Sequence, residues 1–221
     1  MSIDDDYYAW DAAQQEFYEQ AAAEAVKEFK RDLLQNYLMK TYESFARTIH
    51  MLGEADELNE RNTTAGYLFA AISAEVCVKQ LLLEPMVHGL ITQDYAASLV
   101  SELVFGRNSV DRFRVLFLKL LAEEGNIDLK SMKRIGADIC IWDEFIKISR
   151  KRNAIVHNAE QASKSESVEA LAVAQDLIHQ IYPQLLDNFY LTVFQEKIIY
   201  HSYLPLDQYL IKEAQRKLRE G

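Results

Sequence analysis

Apolar side chains recur every three or four residues along most of this chain, separated by charged ones. That is the period of helices with one buried face. Residues 6–35 carry Tyr7, Trp10, Phe17, Ala21, Val26, Phe29 and Leu33 in this way, and a second run from Tyr37 to about Leu58 carries Leu38, Tyr42, Phe45, Ile49 and Leu52. Asn62, Thr63 and Thr64 supply short side-chain oxygens that cap a helix start. A third helix is therefore predicted through Ala70, Ala74, Val78, Leu81 and Leu82, ending at Pro85. Two shorter helices, Thr92 to Val104 and Ser109 to Ala122, flank Gly106-Arg107-Asn108, and Gly125-Asn126 reads as a turn. After a less regular piece near 128–134, a helix is predicted from about Asp138 to His157, then a serine-bearing loop from Ala159 to Ser167. Helix resumes near Glu166 and reaches Tyr182, where Pro183 interrupts it or opens the next one. Phe189 to Tyr203 is rich in aromatic and β-branched residues. A strand is conceivable there, but no partner strand is evident, so helix is the expectation. A last amphipathic helix covers Leu206 to Arg219.

These runs predict an all-α fold, a bundle of about seven to nine helices. The expected divisions are an N-terminal helical extension over residues 1–58, a helical core over 59–185 and a C-terminal helical extension over 186–221, forming one compact domain. Composition agrees: of 221 residues only 7 are Gly and 3 Pro, while strong helix formers abound. No uncharged apolar run approaches the roughly 20 residues that span a bilayer. The N-terminus, with Asp4, Asp5 and Asp6, lacks the basic-then-apolar order of a secretory signal. Cys77 and Cys140 stand apart with no CxxC, as core thiols in a reducing compartment do. A cytoplasmic protein without a membrane partner is expected.

Net charge is −10, which disfavours indiscriminate coating of nucleic acid. The distribution matters more. Residues 107–152 hold 11 Lys and Arg against 7 Asp and Glu, while the rest of the chain holds 13 against 27. Such a segment either binds phosphate locally or forms ordinary solvated helix faces.

Chemistry concentrates in Arg152-Asn153-Ala154-Ile155-Val156-His157. Arg is a fixed cation with forked donors suited to phosphate oxygens, and His takes and gives protons near neutral pH. Ile141, Phe145, Ile148, Arg152, Ile155 and Ala159 fall on one helix face. Arg152 thus lies in an apolar stripe, where an unpaired cation costs several kcal/mol. A carboxylate, a neighbouring subunit or a bound phosphate has to compensate. Asn153 and His157 share another face with Arg150, whereas Arg152 and His157 are about 140° apart on an ideal helix. One helix does not aim both at the same atom. Two copies about a twofold axis do, so the spacing suggests a homodimer.

An Arg, a polar residue, three more residues and a His resemble the signature of the HEPN superfamily, all-α domains many of which are ribonucleases. The upstream run Ser73-Ala74-Glu75-Val76-Cys77-Val78-Lys79-Gln80-Leu81 is similar to the HEPN helix in which an Ala-Glu pair precedes a Lys and a Leu. The resemblance covers about residues 60–185. It implies a homodimeric endoribonuclease that needs no metal or other cofactor and acts as a toxin or in stress or phage defence. In it the ribose 2′-OH attacks the adjacent phosphate, leaving a 2′,3′-cyclic phosphate and a 5′-OH. The implied roles are general acid or base for His157, phosphate binding and charge stabilisation for Arg152, and phosphate binding or His orientation for Asn153. Glu75 pairs with or orients Arg152, and Arg150 and Lys151 supply further positive charge. An antitoxin or regulatory protein is a possible partner. HEPN toxins paired with nucleotidyltransferase antitoxins carry a Tyr two positions after the His; here that position is Ala159, which argues against that pairing.

Plainer readings stand beside these. Arg152 on an apolar stripe fits a core ion pair, Glu75 and Lys79 fit an intrahelical pair, and a His near a helix end fits a solvated residue. The alternative function is a non-catalytic helical dimerisation module that binds a partner protein or nucleotide. There is no HExxH, GxSxG, glycine-rich phosphate loop or Cys/His metal spacing. His50, His88, His179 and His201 read as surface or packing residues.

Overall fold

Helix α1 runs unbroken from Ile3 to Leu38, and after a tight turn at Met39–Thr41 the chain reverses into α2, Tyr42–Arg61. The computed structural model describes residues 3–91 and 114–220. The helix expected at Thr92 to Val104 and the start of the one expected at Ser109 to Ala122 lie outside these. The remaining elements are α3 (Thr63–Val76), α4 (Glu84–Leu90), α5 (Arg114–Glu123), α6 (Ile141–Asn158), α7 (Lys164–Asp176), α8 (Tyr182–Asn188) and α9 (Leu206–Glu220). Among the described residues the fold is all-α apart from one small hairpin.

Local chemistry sets the joints. Asn62 has extended backbone geometry and its side chain accepts the Ala65 N–H, so α3 starts where the cap residues placed it. Gly66 lets α3 close on α2, because a Cβ there would stand 2.8 Å from the Asn59 Cα. Helix does not end at Pro85 as expected, whereas Pro183, expected to interrupt a helix or open the next, stands in the first turn of α8. Pro85 follows a π-helical stretch, Cys77–Leu83, that joins α3 to α4, and Pro183 follows another, Leu177–Ile181, that joins α7 to α8. A proline ring clashes with the carbonyl four residues back in an α-helix. The wider π turn, with the Glu84 N–H bonded to Lys79 O and the Tyr182 N–H to Leu177 O, moves that carbonyl aside. Helix therefore continues through both prolines. The two π stretches touch in the core, where Cys77, Val78, Leu81, Leu82, Leu177, Ile178 and Ile181 are all buried.

The core gathers Leu34 and Leu38 of α1, Phe45 and Leu52 of α2, Ala70 and Ala74 of α3, Trp142, Phe145 and Ile148 of α6, and Leu171 and Ala174 of α7. The helical path Thr63–Gly89 is long and apolar enough to cross a membrane, but 67% of its most apolar window is buried inside this bundle, as befits its central helix. Tyr67 is buried and its hydroxyl donates to Ile148 O at 3.0 Å, tying α3 to the middle of α6.

The expectation of helix between Phe189 and Tyr203 is corrected. Leu191–Phe194 (β1) and Lys197–Tyr200 (β2) form an antiparallel hairpin with Leu191 opposite Tyr200 and Phe194 opposite Lys197. The missing partner strand is the other half of the same segment. Gln195 and Glu196 turn the chain with φ of 46° and 59°, the doubly positive geometry that matches strand twist in two-residue hairpins. Leu191 and Ile198 fill the core from this hairpin.

Candidate functional site

Helix α6 begins against the core through Trp142, Phe145 and Ile148 and ends in solvent. Arg152 stands one turn past Ile148, where the apolar stripe meets α3. Its Nη2 donates to Glu75 Oε2, and its Nη1 donates to Asn153 Oδ1 at 2.8 Å. The Arg152 and Glu75 side chains are 25% and 14% exposed. A carboxylate is therefore the compensation that this cation required. The Lys79 ammonium lies 3.9 Å from the same Glu75 oxygen, so one carboxylate serves two cations and a positive charge is left over.

Two polar atoms beside this pair lack partners. Arg152 Nε and Ser149 Oγ are buried without a hydrogen bond among the described residues, and at i and i+3 they lie on one face of α6. An orphaned buried donor costs about 1–3 kcal/mol. The guanidinium is thus held by two of its donors and unsatisfied at a third.

Asn153 links the two faces that an ideal helix keeps apart. Arginine only donates, so the atom of Asn153 that meets it has to be the carbonyl oxygen. The amide N–H groups of this exposed side chain are thereby left to point elsewhere. His157, one turn further along the Asn153 face, is exposed and has no hydrogen bond among the described residues. Arg152, Asn153 and Glu75 are thus brought together, with His157 beside them on α6.

Lys151 is not part of that group. Its ammonium lies 3.2 Å from Glu160 and 3.4 Å from Glu166, and the hydrogen bond to Glu160 chiefly holds its pKa above the ordinary value. Glu166 closes a capping box at the start of α7 with Ser163. Hydrogen bonds from Ser163, and then Lys151, hold its carboxyl below the ordinary range. This clasp is intact at neutral pH and is lost as pH falls through the lowered Glu166 pKa. Arg150 is exposed on α6. Lys147 donates to Glu169 at 2.7 Å, and Arg134 is engaged by Glu144. The locally positive segment is therefore largely used inside the chain; Arg107, Arg112 and the Arg114 side chain lie outside the described residues.

Helix α6 stops because Ala159 adopts φ 55° and ψ 31°, the left-handed cap conformation. Glycine adopts that geometry without the Cβ penalty of roughly 1 kcal/mol. Ala159→Gly is expected to raise the melting temperature by about 2–4 °C, read by calorimetry. An unchanged or lower value would show that the cap is not the limiting feature here.

Among the described residues no three His, Cys, Asp or Glu side chains converge as a metal site. His88 stacks on Tyr37 with ring centroids 4.0 Å apart, while His201 is buried with Nε2 2.9 Å from Leu191 O and 3.3 Å from Asp187. Sequence reasoning missed a cleft of about 590 Å³ between α1, the turn after α5, and the end of α8, where Lys27, Lys30, Arg31 and Lys212 gather. Its walls come from residues far apart in the chain, so no local pattern announces it. None of the candidate residues of α6 lines it.

Comparison with protein-family models, with curated proteins and with solved structures gives no match to this chain.

Proposed function

We propose that this protein is an endoribonuclease of HEPN type that works as a homodimer, each copy contributing the exposed end of α6 to a shared cleft. The observation that supports this is the arrangement on α6: Arg152 oriented by Glu75, Asn153 oriented by Arg152, and an exposed His157, unbonded among the described residues, one turn beyond Asn153. One carboxylate against Arg152 and Lys79 leaves net positive charge beside the amide donors of Asn153, which suits a single phosphodiester.

In the proposed reaction the ribose 2′-oxygen bonds to the adjacent phosphorus while the bond from phosphorus to O5′ breaks. His157 of one copy accepts the 2′-OH proton, and an imidazolium from the other copy delivers a proton to the departing O5′. Arg152 and the Asn153 amide donate to the phosphate oxygens as negative charge builds. The products are a 2′,3′-cyclic phosphate and a 5′-OH, and DNA is inert because it has no 2′-OH. The proposed setting is cytoplasmic, as a toxin or defence enzyme.

One observation favours a second reading. Arg152 is bonded to Glu75 within one chain, and Lys147 and Lys151 are likewise held by acids. That arrangement also serves a non-catalytic helical module that binds a protein or nucleotide. Incubating the purified full chain with total RNA in EDTA separates the two. Cleavage with cyclic-phosphate ends, absent on the matching DNA, supports the nuclease. Intact RNA together with a stoichiometric co-purifying partner supports the module and sinks the nuclease.

A further inference from the structure

We infer that the cleft between α1 and the end of α8 binds a nucleoside diphosphate, with its phosphates on Lys27 and Arg31 and its base stacked on Tyr190. No residue of α6 lines this cleft, so the inference stands whether or not α6 cleaves RNA. Its volume of about 590 Å³ lies within the range that holds a small organic ligand. A bare phosphate would not fill it.

Charge calls for an anion. Lys27, Lys30, Arg31 and Leu34 stand at i, i+3, i+4 and i+7, so one face of α1 forms a wall of the cleft. Leu34 is buried and seats that face against the body. Three carboxylates also line the cleft, and each has a cation of its own. Glu124 lies 3.7 Å from Lys30, Asp187 lies 2.8 Å from Lys212, and Glu123 lies 3.6 Å from Lys119, which is outside the cleft. Lys27 and Arg31 form no ion pair among the described residues. Like charges one turn apart on a helix destabilise it, and here no acid of the cleft offsets them. A site left net positive on a chain of net charge −10 is a place for a multiply charged anion.

Backbone and ring geometry name the rest of the ligand. Tyr190 stands two residues past α8 with φ 57°, the left-handed conformation that glycine ordinarily supplies at a helix end. The fold enforces it: the Tyr190 N–H donates to Asp187 O at 3.0 Å, and Tyr190 O accepts the His201 N–H at 2.8 Å. The strained backbone thus places a ring where glycine would place none. That ring is 37% exposed and lines the cleft. Arg31 Cζ reaches from α1 to 6.0 Å from its centroid, the outer limit of a cation–π contact. The guanidinium is therefore near the ring without being committed to it, and its forked donors suit a phosphate. Asn126, at φ 51°, lines the same cleft. Two of the five non-glycine residues with positive φ among the described residues meet there, and such strain gathers at ligand sites. A bare anion leaves Tyr190 unexplained, and an uncharged ring leaves Lys27 and Arg31 unexplained. A nucleotide accounts for all three.

Isothermal titration of the full chain with ADP, GDP, CDP and UDP in EDTA is expected to show one nucleotide bound per chain, since stacking on a tyrosine tolerates any base. Lys27→Gln with Arg31→Gln is expected to weaken that binding by on the order of a hundredfold, two charge-assisted hydrogen bonds being lost. Both side chains are exposed on α1, and Gln is as good a helix former as Lys or Arg, so the fold is retained. Tyr190→Gly isolates the ring. It relaxes the left-handed backbone, so the melting temperature holds or rises, while ADP binding falls by about tenfold and pyrophosphate binding stays as in the wild type. A chain that binds none of the four nucleotides, or a double Gln variant that binds as the wild type does, overturns the site. Pyrophosphate bound as tightly as ADP, or undiminished ADP binding by Tyr190→Gly, overturns the part of the ring and with it the nucleoside. Binding is read without RNA cleavage, so failure of the nuclease reading is a separate result.

Discussion

His157→Ala is expected to lower RNA cleavage by about two to four orders of magnitude, the usual contribution of a positioned proton-transfer group, while leaving the unfolding curve unmoved. The imidazole is exposed at the end of α6 and holds no hydrogen bond among the described residues, so the fold loses nothing with it. Arg152→Ala should behave differently. Removing a donor to the transition-state phosphate costs about two to three orders of magnitude in rate. The same change also strips Glu75, 14% exposed, of its bonded partner and leaves only Lys79 at 3.9 Å. A loss of roughly 1–3 kcal/mol follows from the stranded carboxylate. Single-turnover cleavage beside urea unfolding reads both quantities. Wild-type cleavage by the His157→Ala dimer would end the nuclease proposal. Wild-type stability of Arg152→Ala would show that Glu75 does not depend on this partner.

The contrast between the two residues shows what the sequence discloses about such a site. That Arg152 needs compensation is legible from its place on an apolar stripe. That Glu75 supplies it was one option among three, since only the packing of α3 on α6 brings the two within bonding distance. The role of Asn153 as a bridge was not legible, because spacing alone separates Arg152 and His157 by about 140° and says nothing of a side-chain bond between neighbours. Likewise part of the basic segment is taken up within the chain, where Lys147 meets Glu169 and Lys151 meets Glu160 across the turn at Ala159.

Helix positions were legible wherever one face is apolar and a cap marks the start, as at Asn62. The failures have physical causes. Pro85 reads as a stop because an α-helix cannot hold it unchanged, yet a preceding π turn accommodates it, and a second π turn likewise precedes Pro183 at the opening of α8. The hairpin escaped because its turn uses Gln195 and Glu196 at positive φ rather than the Asn or Gly that ordinarily signals such a turn.

Glu144→Ala is expected to destabilise the protein by about 3–5 kcal/mol, the cost of stranding one member of a buried ion pair. Glu144 is 3% exposed in the first turn of α6, and its two oxygens take Arg134 Nη2 at 2.6 Å and Nε at 2.9 Å. Arg134 sits on the irregular stretch between α5 and α6, and its pKa is held above the ordinary value chiefly by that hydrogen bonding. The fork therefore pins the loop to α6. Around it Ile141 N–H donates to Met132 O at 3.0 Å, and the neighbouring Trp142 is buried. With Glu144 gone, the guanidinium keeps a 16% exposed, mostly desolvated position without a carboxylate in contact. Replacing both partners by apolar residues of similar volume, Arg134→Met with Glu144→Leu, is expected to recover most of the loss, since the penalty lies in the unpaired charge rather than in the missing attraction. Urea unfolding of the two singles and the double measures this. A double variant as unstable as Glu144→Ala would mean that α6 depends on the ion pair itself, and the end bearing Arg152 and His157 would then be anchored by charge rather than by packing.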